Sequence, residues 1–261
     1  MRIFYVEDIK HGQKRCIISG SEARHIWKVL RMRAGNKLLL MDQHGNRYKG
    51  VIEDIKHSKV YVLIKEKYPP PSSSPVHITI CISLIRREPM DFVIQKASEL
   101  GAEVIQPFYS TRSIVRIAED KIEQRLRHWK EVAINAAKQC GRATPIQVFA
   151  PLFLKELLAQ DWEKDSLRLF LWEQEKRNSI KEVLRRAEEK VNKIVGIIGP
   201  EGGFTYEETE LFKEKGFIPV SMGKRILRAE TAAITFVALC QYERGDLGLS
   251  DNMKASFPMR P

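Results

Sequence analysis

The run Pro69-Pro70-Pro71-Ser72-Ser73-Ser74-Pro75 divides this 261-residue chain before anything else can be said of it. Proline lacks the backbone donor that a helix interior or a central strand requires, and its φ is held near one value. Three prolines in a row followed by three serines therefore read as a stiff-then-flexible connection. The chain is expected to fold as a small N-terminal domain, residues 1–70, and a larger one, residues 76–247. Residues 71–75 form the linker, and a polar tail occupies 248–261.

The patterns on the two sides differ. Before the linker, short β-type runs dominate at Arg2–Val6, Arg15–Ser19, Lys37–Met41, Tyr48–Asp54 and Lys59–Lys65. Gln43-His44-Gly45-Asn46 supplies a turn between two of them. A single helix is predicted from an N-cap at Ser21 to about Met32, with Ala23, Ile26, Trp27 and Leu30 on one face. A small β-barrel-like module with one helix is the natural assembly. Arg24, Lys28 and Arg31 follow at i, i+4 and i+7 beside the apolar face.

Charge is concentrated in the same piece. Residues 1–70 hold 15 Lys/Arg against 7 Asp/Glu, so they carry +8 of the chain's formal +11. A polyanion gripped mainly by the N-terminal part would explain that asymmetry, and a solvated basic surface is the plainer alternative. Phosphates held by the Arg24–Lys28–Arg31 stripe would release counterions, which makes binding steeply salt-dependent.

After the linker, strands and helices alternate. Strands are expected at His77–Leu84, Glu103–Phe108, Ile146–Phe149, Leu167–Trp172, Lys193–Ile198 and Phe217–Ser221. Helices are expected at Pro89–Leu100, Asp120–Lys138, Leu152–Ala159, Ser179–Val191, Tyr206–Lys215 and Ala229–Arg244. That alternation predicts an α/β domain around a mostly parallel sheet. The last helix is apolar nearly all round, which implies burial on more than one side.

Other classes recede. No stretch approaches the roughly 18 uncharged apolar residues of a membrane span, and the N-terminus is expected to be no secretory signal. The four cysteines are scattered, without a C-x-x-C pair, and the six histidines include no H-E-x-x-H pair. Neither a metal site nor a disulfide framework is expected, and a reducing cytoplasm fits.

Parallel sheets bind ligands outside the carboxyl ends of their strands. Three such ends are chemically unusual here: Leu171-Trp172-Glu173-Gln174, Gly199-Pro200-Glu201-Gly202-Gly203-Phe204, and the stretch from Ser221 to Thr231. The glycines permit positive φ and a close-lying ligand. Neither the Walker spacing nor the dinucleotide G-x-G-x-x-G occurs. Thr205 and Glu208 have the spacing of a capping box, which accounts for a helix start but not for the glycines before it.

Ile198-Gly199-Pro200-Glu201-Gly202-Gly203-Phe204, followed by Met222-Gly223-Lys224-Arg225-Ile226-Leu227-Arg228-Ala229-Glu230-Thr231-Ala232-Ala233, strongly resembles the ribosomal RNA small subunit methyltransferase E family. The resemblance extends to Gln95–Gly101, Gln139–Arg142 and Arg24–Arg31, in the family's order, over roughly residues 1–245. It implies a SPOUT-class, S-adenosylmethionine-dependent methyltransferase with a trefoil-knotted α/β domain. It also implies a PUA-like N-terminal domain that grips RNA, a homodimer, and N3-methyluridine in the decoding region of 16S ribosomal RNA as the product. The substrate would be 16S ribosomal RNA, naked or within the small subunit.

Carried over residue by residue, the resemblance puts the cofactor among Leu171, Gly199, Pro200, Glu201, Gly202, Gly203, Met222, Gly223, Ile226, Leu227, Arg228 and Thr231. Core packing is the simpler explanation for Ile226 or Leu227 taken alone. The expected RNA contacts are Arg2, Arg24, Lys28, Arg31, Arg33 and Arg142. Uridine N3 must lose a proton before it attacks, so the site should remove that proton or stabilise the resulting anion. Arg112, Arg228 and Lys96 are candidates for the anion, and Glu201 or Glu230 for the base. Glu201 could instead cap its own loop, Glu230 could pair with Arg225 or Arg228, and Arg112 could simply bind phosphate. An RNA-binding or ribosome-assembly module without catalysis, and a related enzyme acting on a ribose 2′-oxygen or on transfer RNA, are the alternatives.

Overall fold

The computed structural model describes residues 3–6, 9–10, 12–68, 74–163 and 165–248. Arg2, most of the expected linker and nearly all of the expected tail lie outside the described residues. The chain forms two compact units. One comprises the described residues up to 68 together with 137–144; the other comprises 74–136 and 145–248.

The first unit is a five-stranded sheet in the order β1 (Ile3–Tyr5), β3 (Lys37–Met41), β4 (Arg47–Lys56), β5 (Lys59–Tyr68), β2 (Arg15–Ile18). Only β1 and β3 run parallel. Alternating side chains such as Leu38, Leu40, Val60 and Val62 fill its core. The turn before β4 is held by Asp42, whose carboxylate accepts from His44 N–H, Asn46 N–H and the Tyr48 hydroxyl, all at 2.9 Å. In the same unit, Arg47 donates to the Gly141 carbonyl and Lys138 pairs with Glu22.

The helix of this unit departs from expectation. It begins at Gly20 rather than after Ser21, runs as α1 (Gly20–Arg24), then widens into a π-helical turn over His25–Val29. Leu30 N–H reaches back to the His25 carbonyl (2.9 Å) and Met32 N–H to Ile26 (3.1 Å). Arg31 turns left-handed at φ 51°, so the helix stops short of Met32. Ala23 and Ile26 are fully buried, as their spacing predicts.

The second unit is built on a parallel sheet in the order β12 (Ile218–Val220), β10 (Leu167–Leu171), β11 (Lys193–Ile198), β6 (His77–Ser83), β7 (Val104–Tyr109), β8 (Gln147–Val148), with β9 (Leu152–Phe153) also on β7. β11 enters between β6 and β10, two strands that precede it in the chain. Side chains alternate between two cores. Ile78, Ile80, Ile82, Ile194, Ile198 and Leu169 face one side, with α2 (Arg87–Glu99), α3 (Glu119–Cys140), α5 (Ile180–Arg186) and α7 (Ala229–Arg244). Cys81, Phe108, Phe170, Val195 and Ile197 face the other, with α4 (Leu154–Leu158) and α6 (Tyr206–Glu214). No helix among the described residues is long and apolar enough to cross a membrane.

Two element boundaries differ from the sequence pattern for identifiable reasons. Leu152 and Phe153, expected to open a helix, instead pair with Phe108 and Tyr109 of β7, and the helix starts at Leu154. α5 ends at Arg186 rather than Val191. There the Arg244 guanidinium donates to the carbonyls of Ala187, Glu188, Glu189 and Val191, giving those oxygens partners outside a helix.

Candidate active site at three strand ends

Because β12, β10 and β11 are adjacent and parallel, their carboxyl ends reach the same edge of the sheet. A cavity of about 270 Å³ opens there, close to the lower end of small-molecule sites. Leu171, Trp172 and Glu173 line it after β10, and residues 198–204 after β11. Val220, Ser221, Met222, Gly223, Arg225, Ile226 and Leu227 line it after β12, with Ala229 and Ala232 from the first turns of α7.

The glycine loop forms a wall of nearly bare backbone. Gly203 has φ +67°, and its N–H donates to the Pro200 carbonyl at 3.0 Å, closing the turn. That positive φ favours glycine here, and a Cβ added at Gly203 would stand 2.7 Å from a Glu173 carboxylate oxygen, which the flexible end of that side chain would have to vacate. Phe204 then anchors the loop, its ring buried edge-on against Phe212 with centroids 4.9 Å apart. Beyond it the capping box forms as its spacing predicts: Glu208 N–H donates to Thr205 Oγ1 and Thr205 N–H to Glu208 Oε2.

The structure brings together Leu171, Gly199, Pro200, Glu201, Gly202, Gly203, Met222, Gly223, Ile226 and Leu227 around this cavity. Ile226 is 87% exposed, so core packing does not explain it, whereas Leu227 also packs on the core. Arg228, the N-cap of α7, and Thr231 lie outside the lining, both exposed.

The polar candidates separate. Glu201 lies on the lining, exposed, and its loop is closed by backbone rather than by its carboxylate. Glu230 lies in the first turn of α7 and makes no ion pair with Arg225 or Arg228 among the described residues. Arg112 packs on the glycine loop, donating to the Gly202 carbonyl at 2.8 Å and to Phe204 at 3.4 Å. Lys96 is outside the lining, paired with Glu99 at 2.9 Å on α2. In the first unit Arg24, Lys28, Arg31 and Arg33 are all exposed, and Lys28 sits 5.2 Å above the Trp27 ring. Arg31, being left-handed, does not continue the helical stripe. Arg142 is half-buried in the turn after α3.

Comparison with known proteins places this geometry. Residues 72–241 match the family model of an RNA methyltransferase domain, and residues 18–65 that of an RNA methyltransferase PUA domain. A solved ribosomal RNA small subunit methyltransferase E from Neisseria gonorrhoeae, bound to S-adenosyl methionine, is 30% identical with a TM-score of 0.84, covering 95% of this chain and 99% of its own. This chain belongs to the ribosomal RNA small subunit methyltransferase E family. A putative methyltransferase of Legionella pneumophila, solved with bound cofactor SAM, is 31% identical with a TM-score of 0.86, covering 94% of this chain and 98% of its own. The methyltransferase E of Bacillus subtilis (strain 168) is 28% identical over 88% of this chain and 92% of its own length.

For a methyltransferase E, the cavity also recruits residues that the sequence reading left out: Trp172, Glu173, Ser221, Arg225, Ala229 and Ala232. Trp172, Glu173, Ser221, Arg225 and Ala229 stood in the strand-end segments already singled out, so the rule that ligands sit at those ends would have found them. Ala232 lines the cavity because α7 starts directly beneath it, a placement that periodicity does not encode.

Proposed function

We propose that this chain transfers the methyl group of S-adenosylmethionine to N3 of a uridine in the decoding region of 16S ribosomal RNA. The observation that carries the reading is the cavity itself, in which three strand-end loops of a methyltransferase E chain converge. Its lining suits the cofactor. Leu171, Met222, Ile226 and Leu227 offer apolar surface to a purine, the glycine loop offers bare backbone, and Glu173, Glu201 and Ser221 offer polar atoms.

When bound, S-adenosylmethionine supplies a methyl group already activated on sulfur. The chain's own residues then have three tasks. The loops hold the donor in line with the base. Glu201, exposed on the lining, is the carboxylate we assign to take the N3 proton. Arg228, at the start of α7, stabilises the anion that spreads onto the uracil oxygens. We further assign RNA contact to the basic first unit through Arg24, Lys28, Arg31 and Arg33, with a homodimer, a trefoil-knotted second unit and a cytoplasmic location completing the reading.

Calorimetry with S-adenosylmethionine tests the cofactor, and a folded protein that does not bind it would favour a non-catalytic RNA-binding module. Nucleoside mass spectrometry of 16S RNA from a strain lacking the gene, with and without its restoration, tests the product. N3-methyluridine is expected to vanish and return. Its persistence after deletion would point to a 2′-oxygen or transfer RNA substrate instead.

A further inference from the structure

Glu208 has more to do than start a helix. Its side chain is 2% exposed, and its two oxygens are divided between two segments far apart in the chain. Oε2 accepts from Thr205 N–H at 2.9 Å, just after the glycine loop. Oε1 accepts from Thr111 N–H at 2.8 Å, in the turn after β7. A capping box needs only the first of these bonds.

The turn so held carries Arg112, whose guanidinium closes on the carbonyls of Gly202 and Phe204. The same turn is pinned from its other side by hydroxyls: Ser113 Oγ lies 2.7 Å from Ser83 Oγ and 3.0 Å from Ser110 Oγ, and accepts from Ser110 N–H at 2.9 Å. Residues 110–113 and 199–205 are thus tied at three points, by Glu208 and by two carbonyl contacts of Arg112.

We propose that Glu208 is a positioning residue for methyl transfer, locking the glycine loop that walls the cofactor cavity to the Arg112 turn. The proposal rests on the reading of the cavity as an S-adenosylmethionine site. A carboxylate is required because both segments present N–H donors. Glutamine has one acceptor oxygen, and its amide group would face the second donor without a bond. A buried unpaired N–H is costly, so one segment would shift away. Neither oxygen touches the cavity, and Glu208 therefore acts through the loop rather than on the reactants.

The test compares E208Q with T205A, which removes the Thr205 hydroxyl, with its capping bond and its bond to the Glu207 side chain, and leaves both Glu208 carboxylate bonds in place. Both variants are expected to melt at lower temperature than the parent. Only E208Q is expected to raise KM and Kd for S-adenosylmethionine, by about 10-fold for one lost hydrogen bond to a charged group. If E208Q keeps the parent's KM, or if T205A raises it equally, Glu208 merely stabilises α6 and the proposal is overturned. Hydrogen exchange of the parent supplies a readout that needs no variant to fold. On adding S-adenosylmethionine, residues 110–113 and 199–205 should gain protection together, and protection confined to 199–205 would overturn the coupling. A parent that neither binds S-adenosylmethionine nor methylates RNA would instead count against the cofactor reading, and is seen before any variant is made.

Discussion

Phe236 of α7 occupies the space that a side chain on Gly196 of β11 would fill. The ring is fully buried, and the glycine lies in the strand whose end becomes the cofactor loop. α7 lies close on the sheet because that one strand position is empty. Gly196→Ala should therefore cost about 1–3 kcal/mol by overpacking. Denaturant unfolding measures it, and a smaller Leu at position 236 should recover part of the loss in the double variant. Full additivity of the two changes would show that they do not meet.

Ile226 is 87% exposed at the rim of the cavity. Ile226→Ala removes almost no buried surface from the free protein, so stability should hold within about 0.5 kcal/mol. Affinity for S-adenosylmethionine should fall about 5-fold if the side chain covers the bound cofactor. Paired thermal melts and calorimetry read both, and unchanged affinity would remove Ile226 from the site.

Arg112 holds the glycine loop by two carbonyls rather than standing free for phosphate. Arg112→Ala should weaken S-adenosylmethionine binding by about 3- to 10-fold, whereas a purely phosphate-binding arginine would leave calorimetry without RNA unchanged. Arg112→Lys should fall between, because an ammonium does not reproduce the planar fork.

In the first unit, Arg24 and Arg31 are exposed, with Arg31 held left-handed beyond the helix. Arg24→Ala with Arg31→Ala should weaken RNA binding and lower its salt slope by up to about 2, leaving cofactor affinity untouched. Filter binding across a salt series decides it, and equal slopes would exclude these two side chains from phosphate contact.

Burial raises the Cys16 thiol to about 11 and pushes those of Cys81 and Cys240 higher still. The thiolate is the reactive form, so all three should resist alkylation at pH 8 in the folded protein. Cys140, only half-buried, should react first with iodoacetamide, as peptide mass spectrometry would show. Modification of Cys81 without unfolding would contradict its place under the sheet.

Much of this protein was legible in one dimension. The β-rich first piece, the strand–helix alternation after the proline run, and the capping box of Thr205 and Glu208 are local patterns that survive in the fold. Local physics also marked the three strand ends, since glycine-rich turns after apolar strands mean backbone laid open to a ligand. Other features depend on partners far off in the chain. β9 forms because β7 offers an edge, and α5 stops where Arg244 collects the carbonyls of Ala187, Glu188, Glu189 and Val191. The strand order likewise is not periodic information, and it alone sets β12, β10 and β11 side by side so that their ends enclose one cavity. The sequence by itself determined which residues have cofactor-loop chemistry. The tertiary structure decided that Arg112 holds the loop and that Glu208 reaches Thr111, because hydrogen bonds across 90 or more residues are settled only when the sheet is assembled.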